Sequence, residues 1–324
     1  MENKFIVSFP PHIREKDSIS ETMLDVIIGL APALAGSVYF FGFRALFVCL
    51  ACVLGCVGSE YLWNKILKKE QTIGDLSAVV TGILLSFCLP ATIPYYMAVI
   101  GGIFAIIVVK QFFGGIGQNF VNPALAARGF LLASWPVAMT TFVPPMTKLS
   151  LFSSNADVVT SATPLAFIKG VEGAEKASYI DMLFGNIGGC MGEVSTILIL
   201  IGGIYLLMRG VIRAVIPFTY IITVGLFGFF FDGGFMQGDF LYHILSGGVV
   251  LAGFFMATDY VTSPTTLMGE FVYAFMAGII AGVIRLFGGY PEGSTYAILI
   301  MNIATPIIDK YIRPRVFGTG RSVV

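Results

Sequence analysis

Met268-Gly-Glu-Phe-Val-Tyr-Ala-Phe-Met-Ala-Gly-Ile-Ile-Ala-Gly-Val-Ile-Arg-Leu-Phe287 runs directly into Gly288-Gly289. An apolar stretch of about 20 residues is long enough to cross a hydrocarbon core of roughly 30 Å as a helix. Stretches of this kind recur along the chain and predict ten spans, over about 22–41, 44–63, 75–91, 94–113, 120–138, 186–207, 212–231, 239–257, 268–287 and 294–312. Composition agrees. The 324 residues are 56% apolar and only 12% charged, with a mean hydropathy of +0.88, too little charge to coat a soluble globule of this size. The expected class is therefore an all-α integral membrane protein with lipid around it. With 19 Lys and Arg against 19 Asp and Glu, charge points to no nucleic-acid partner.

The fourth span closes on Phe113-Gly114-Gly115, as the ninth closes on Phe287-Gly288-Gly289, and the third and eighth share Val79-Val80-Thr81-Gly82 beside Val249-Val250-Leu251-Ala252-Gly253. Glycine is common in membrane helices, where it lets backbones approach. Its matching place in both halves nevertheless suggests two five-helix repeats. Five is odd, so the second would cross in the opposite sense, and inverted repeats commonly enclose a central site beside short or broken helices. The third span, short and ended by Pro90 and Pro94, fits that description. The expected divisions are an arm over 1–21, a first repeat over 22–138, a loop over 139–185, a second repeat over 186–312 and a tail over 313–324. No cleavable signal peptide is expected in the polar arm.

Placing the N-terminus in the cytoplasm leaves Arg44, Lys148, Lys169, Lys176 and Arg285 on the opposite face and Arg128 within a span. The other Lys and Arg residues, Lys110 among them, then fall in cytoplasmic segments. The positive-inside bias thus predicts cytoplasmic termini and an outer loop over 139–185.

That loop carries Asp157-Val-Val-Thr160-Ser161-Ala162-Thr163-Pro164. Pro164 biases Thr163 toward an extended backbone, presenting its hydroxyl on a loop. By residue type alone the run is an ordinary polar turn, with no base or metal cluster adjacent in sequence.

A resemblance makes it specific. Asp157-x-x-Thr160-Ser161-Ala162-Thr163 is similar to the flavinylation motif D-x-x-(S/T)-(G/S)-A-T, with Ser161 where glycine is frequent. Phe113-Gly-Gly-Ile-Gly-Gln-Asn-Phe-Val-Asn-Pro-Ala124, Ala257-Thr-Asp-Tyr-Val-Thr-Ser-Pro264 and Gly288-Gly-Tyr-Pro-Glu-Gly293 resemble signatures of the RnfD and NqrB family of electron-transport subunits. Ser8-Phe-Pro-Pro-His12-Ile-Arg14, Asp25 and a short N-terminal arm favour the RnfD side. The resemblance spans essentially the whole chain.

It implies a fold similar to that of ammonium and urea channels, and a subunit of an ion-translocating oxidoreductase of the bacterial cytoplasmic membrane. FMN would be esterified through its phosphate to Thr163 by a separate flavin transferase. Thr160, Ser161, Pro164 and Arg128 would be the surrounding cofactor-binding residues, and the resemblance leaves room for a second, noncovalent flavin such as riboflavin. Partners would be Rnf subunits A, B, C, E and G, with Na⁺ or H⁺ as the coupling ion. Ferredoxin and NAD would bind other subunits, because no Cys-rich cluster motif or Rossmann fingerprint is present. Gly114-Gly115-x-Gly117 follows a membrane helix and not a strand, so it is no dinucleotide loop. Asn122 and Pro123 are suited to a helix start.

Arg128 is costly inside a span and is a functional candidate by default; an ion pair, a flavin contact and a place on an ion path all stay open. Asp25, Glu60, Asp259, Glu270 and Glu193 lie near span ends, where solvated carboxylates are ordinary. Cys49, Cys52 and Cys56 share one helix face, which admits an iron-sulfur site but lacks a fourth local ligand, so packing is favoured. Cys88 and Cys190 are single and embedded. Two histidines are too few for a His-rich metal centre: His12 is in the arm, and His243 is expected at the outer interface. A subunit of a Na⁺-translocating NADH:quinone oxidoreductase, a non-redox transporter or channel, and a scaffold remain the competing functions.

Overall fold

The computed structural model describes residues 18–147, 149–151, 161–171, 173–193, 195–290 and 292–313. Among them the regular structure is entirely helical. In the first half lie α1 (Ile19–Phe41), α2 (Phe43–Ile66), α3 (Ser77–Phe87), α4 (Tyr95–Ile103, continued by a π-helix over Phe104–Gln111), α5 (Pro123–Ser134) and α6 (Pro136–Thr140). The loop region contributes α7 (Pro164–Ile168) and α8 (Tyr179–Phe184). The second half holds α9 (Thr196–Met208), α10 (Val215–Phe231), α11 (Phe240–Leu245), α12 (Val249–Leu251, continued by a π-helix over Ala252–Met256), α13 (Leu267–Phe287) and α14 (Ser294–Tyr311).

Local signals account for several boundaries. A capping box starts α1: the Glu21 N–H donates to Ser18 Oγ and the Ser18 N–H to Glu21 Oε2. The side chain of Asn122 accepts from the N–H groups of Ala124 and Leu125, with Pro123 at the first helical position of α5.

By length and apolar composition α1, α2 and α13 are able to cross a membrane; α3, α4 with its π segment, α9 and α10 are shorter apolar helices. Large apolar side chains face outward along these helices, among them Leu54, Leu62, Ile204 and Phe275. Such a surface suits lipid and not water.

α2 packs on α3 and α4, α10 packs on α13 and α11, α1 lies along α9, and α5 meets α14. Gly55 allows α2 and α4 to approach, since a Cβ there would stand 2.9 Å from Val99 O. Arg209 at the end of α9 pairs with Asp25 in α1 at 3.1 Å, and Arg213 before α10 pairs with Glu270 in α13 at 2.9 Å. The described chain ends therefore lie at one end of the bundle, with the start of α1 beside the end of α9. The opposite end carries the loop region, tied to α1 by the Met146 N–H on Phe40 O.

The sixth predicted span begins as helix only at Thr196. Before it, Gly188 to Glu193 is buried, non-helical backbone. The N–H groups of Met191 and Gly192 donate to Leu89 O and Phe87 O, satisfying carbonyls at the end of α3. The eighth span is broken between α11 and α12, where Gly247 has φ +65°.

Several charges assigned to loops are interior. Arg44 is buried and donates to the carbonyls of Ala91, Thr92, Ile93 and Ser150. Arg285, 1% exposed, donates to His243 O, Ser246 O and Ser246 Oγ, supplying the carbonyls that the helix break leaves without helical partners. His243 is not interfacial: it is buried in α11, its Nε2 3.0 Å from Asp232 Oδ2. Glu60 is fully buried beside Lys110 at 2.9 Å, with Thr72 and Gln111 also donating to it. Asp25, Glu193 and Glu270 are buried too, each beside an arginine, because short connections between tightly packed helices pull their ends below the surface.

Candidate functional site

Arg128 lies in α5, on the side that meets α14, and is 9% exposed. Its Nη2 stands 2.5 Å from Glu292 Oε2 and 3.6 Å from Glu193 Oε1, and 3.8 Å from Cys190 Sγ. Glu292 comes from the connection between α13 and α14, and Glu193 from the buried backbone ahead of α9. Glu292 also accepts the Gly248 N–H through Oε1 at 2.8 Å, at the start of α12. One carboxylate thus joins α5, α12 and α14.

The contact is matched further along the same pair of helices. Asn302 of α14 accepts the backbone N–H of Asn122 at 3.0 Å and donates to Tyr273 Oη at 2.6 Å. The start of α5 meets the body of α14, and the connection into α14 meets the body of α5, so the two helices run antiparallel.

Thr163 precedes α7 at its cap position, but its side chain makes no capping hydrogen bond. Pro164 and Leu165 are buried, and Lys169 Nζ donates to Gly288 O at 2.8 Å and to Tyr290 O, binding α7 to the connection that carries Glu292. Partial burial, with the nearby charge of Arg285, holds the Lys169 ammonium below its usual range. Ser161 donates its N–H to Phe142 O. Its Oγ is buried without a hydrogen-bond partner among the described residues and rests over Gly188, where a Cβ would collide with it.

Between these parts is a small, partly open pocket with a cavity volume of about 20 Å³, lined by Thr163, Gly188, Gly247, Arg128, Glu193 and Glu292. Of the predicted cofactor residues, Thr163, Pro164 and Arg128 line it and Ser161 borders it; Thr160, like Asp157, lies outside the described residues. Sequence reasoning discounted Glu193 as a solvated span end. Glu292 stood in view within Gly288-Gly-Tyr-Pro-Glu-Gly293, without a signal pairing it to Arg128.

A second, larger pocket lies at the bundle end that holds the start of α1. Its wall includes Val80, Leu84, Asn119, Asn122, Phe254 and Asp259. The five cysteines are buried and free, with Cys49, Cys52 and Cys56 packed inside α2. Cys56 Sγ approaches Gly102 O in α4 at 3.7 Å.

An apolar-faced helical bundle with interior ion pairs and broken helices defines a polytopic membrane protein. The sequence profile of the NQR2, RnfD, RnfE family matches residues 6–318, and the chain belongs to that family. It is 48% identical over 323 residues to the D subunit of the Na⁺-translocating ferredoxin:NAD⁺ oxidoreductase complex of Acetobacterium woodii, covering 99% of this chain and 97% of the relative. It is 44% identical over 330 residues to the D subunit of the proton-translocating ferredoxin:NAD⁺ oxidoreductase complex of Clostridium ljungdahlii, covering 99% and 98%. With the D subunit of the ion-translocating oxidoreductase complex of Alcanivorax borkumensis it shares 36% over 331 residues, covering 97% and 96%.

Proposed function

We propose that this chain is the D subunit of an Rnf-type complex, carrying FMN on Thr163 and taking part in electron transfer between ferredoxin and NAD coupled to Na⁺ or H⁺ movement. The observation that carries the flavin is the Thr163 hydroxyl: it is unused by its own helix and borders a pocket walled by Arg128. The orphaned Ser161 Oγ is a second fit, since a buried hydroxyl without a partner suits a ligand's polar atoms. FMN supplies a carrier able to take one or two electrons, while the protein supplies position and electrostatics. Lys169 and Leu165 fix the turn that bears Thr163. Arg128 offers positive charge, already balanced by Glu292.

Ten spans in two inverted repeats suit the pairing of α2 with α4 and of α10 with α13, and the antiparallel meeting of α5 with α14. On that architecture the loop of α7 and α8 faces outward from the bacterial cytoplasmic membrane and both termini face the cytoplasm. Rnf subunits A, B, C, E and G are the partners, and a separate flavin transferase loads Thr163. The relatives named for Na⁺ and for protons match almost equally well, so either coupling ion suits the chain. A second, noncovalent flavin is favoured at the larger pocket walled by Val80, Leu84 and Phe254, whose apolar lining suits a flat ring system.

The test is fluorescence of the denatured protein band after expression with a flavin transferase. The wild-type band should glow and Thr163→Ala should be dark. A dark wild-type band ends the flavin assignment.

A further inference from the structure

Glu193 and Glu292 approach one another over Gly248. A Cβ at Gly248 would stand 2.5 Å from Glu292 Oε1 and 3.0 Å from Glu193 Oε1. Both carboxyls look to the same guanidinium nitrogen, Nη2 of Arg128, but unequally, at 2.5 and 3.6 Å. Glu193 is 8% and Glu292 5% exposed. Glu292 has the closer arginine contact and, on Oε1, the Gly248 N–H, whereas Glu193 stands farther from the arginine; Glu292 Oε2 and Glu193 Oε1 are both buried without a hydrogen-bond donor among the described residues.

An ionised carboxylate is only an acceptor and needs donors; a protonated one can itself donate to a neighbouring carboxylate. Two carboxyls in one buried site resist double ionisation because each charge opposes the other. The other charged or titratable groups acting on the pair are Cys190 beside Glu193, Cys88 at the end of α3, the phenol of Tyr220 in α10 and Arg285 of α13. The thiols bring no positive charge, and the guanidinium of Arg285 is directed to the carbonyls of His243 and Ser246.

We propose that Glu193 and Glu292 share a single exchangeable proton and form, with Arg128, a proton-loading site in the wall of the pocket at Thr163. The proton rests on Glu193 as a carboxylic acid, and Glu292 is the carboxylate held by Arg128 and Gly248. When negative charge enters the pocket, the pair is placed to release that proton toward it, leaving both groups ionised. Only the source of that negative charge rests on the flavin assignment; the shared proton does not.

The full-length protein is treated with dicyclohexylcarbodiimide, which couples to protonated carboxyl groups in apolar surroundings, and labelled peptides are located by mass spectrometry. Wild-type protein should label at the pair near neutral pH, with yield falling as pH rises. Because one proton is shared, Glu193→Gln and Glu292→Gln should each leave the remaining carboxyl ionised by Arg128 and unlabelled. Gel filtration and thermal unfolding establish that each variant is folded, and infrared spectroscopy gives an independent readout: Glu193→Gln should remove a protonated-carboxyl band.

Labelling of the partner in either single variant would show two independent acids and overturn the shared proton. Protection by Na⁺ at constant pH would put a metal cation in its place. Absence of both the label and the infrared band would show a fully ionised pair. Thr163→Ala separates the two assignments: it removes the flavin and should leave labelling at the pair unchanged.

Discussion

Arg128 Nη2 stands 2.5 Å from Glu292 Oε2, joining the second turn of α5 to the connection that leads into α14. The same carboxylate accepts the N–H of Gly248, so the pair fixes the start of α12 as well. An ion pair in this position links the two halves of the chain next to the pocket at Thr163.

Removing one partner leaves the other as a buried, uncompensated charge, which costs about 3–5 kcal/mol. Arg128→Gln should therefore lower the unfolding temperature of the detergent-solubilised protein strongly. Arg128→Gln combined with Glu292→Gln should recover part of the loss. An unchanged unfolding temperature in the single variant would show that the pair does not support the fold.

Gly248→Ala tests how closely the carboxyls approach the helix break. The added methyl would meet Glu292 Oε1 at 2.5 Å and Glu193 Oε1 at 3.0 Å. Overpacking of this kind typically costs about 1–3 kcal/mol. Thermal unfolding measures it, and Gly58→Ala is the control, because a Cβ there meets nothing within 4 Å.

Arg285→Met removes the donors to His243 O and Ser246 O while keeping an apolar stem. His243 O keeps the Ser246 hydroxyl at 3.4 Å, while a buried carbonyl left unpaired, as at Ser246, costs about 1–3 kcal/mol. Amide hydrogen exchange should rise over 246–249, at the break between α11 and α12. If protection there is unaltered, the arginine does not hold the break.

Lys176, in the loop before α8, donates to Asp239 at 2.9 Å. That hydrogen bond, against the smaller pull of burial, raises the lysine above its usual range. A raised folded-state value gives stabilisation that is complete below the unfolded value, about 10.4, and disappears as pH climbs through the higher folded one. Both groups are partly exposed, so the effect is below about 1 kcal/mol. Limited proteolysis of the loop should accelerate at strongly alkaline pH, and Asp239→Asn should produce the faster rate at neutral pH.

Topology is tested with an engineered thiol, since the five native cysteines are buried. Glu175→Cys occupies an exposed loop position and should react with an impermeant reagent added to intact cells. Lys68→Cys, beyond the end of α2, should react only after permeabilisation. The reverse pattern would invert the orientation.

The helical membrane class was legible because hydropathy and span length are local properties. The Asp157 to Thr163 run and the glycine motifs led to the family in the same way, through short patterns that survive without contacts. Helix interruptions were less legible. Gly188 and Gly248 look like ordinary membrane glycines until the Ser161 side chain fills the space over the one and Glu292 takes the N–H of the other.

By itself, the sequence determined a helical membrane chain, its polar loop and the candidate hydroxyl of Thr163. Only the tertiary structure decided that Arg128 belongs with Glu193 and Glu292, that Arg285 and His243 are interior, and that Thr163 shares a pocket with Arg128 and the two glutamates. Hydropathy acts residue by residue along the chain. Pairing of buried charges depends on which distant helices meet and how far they exclude water.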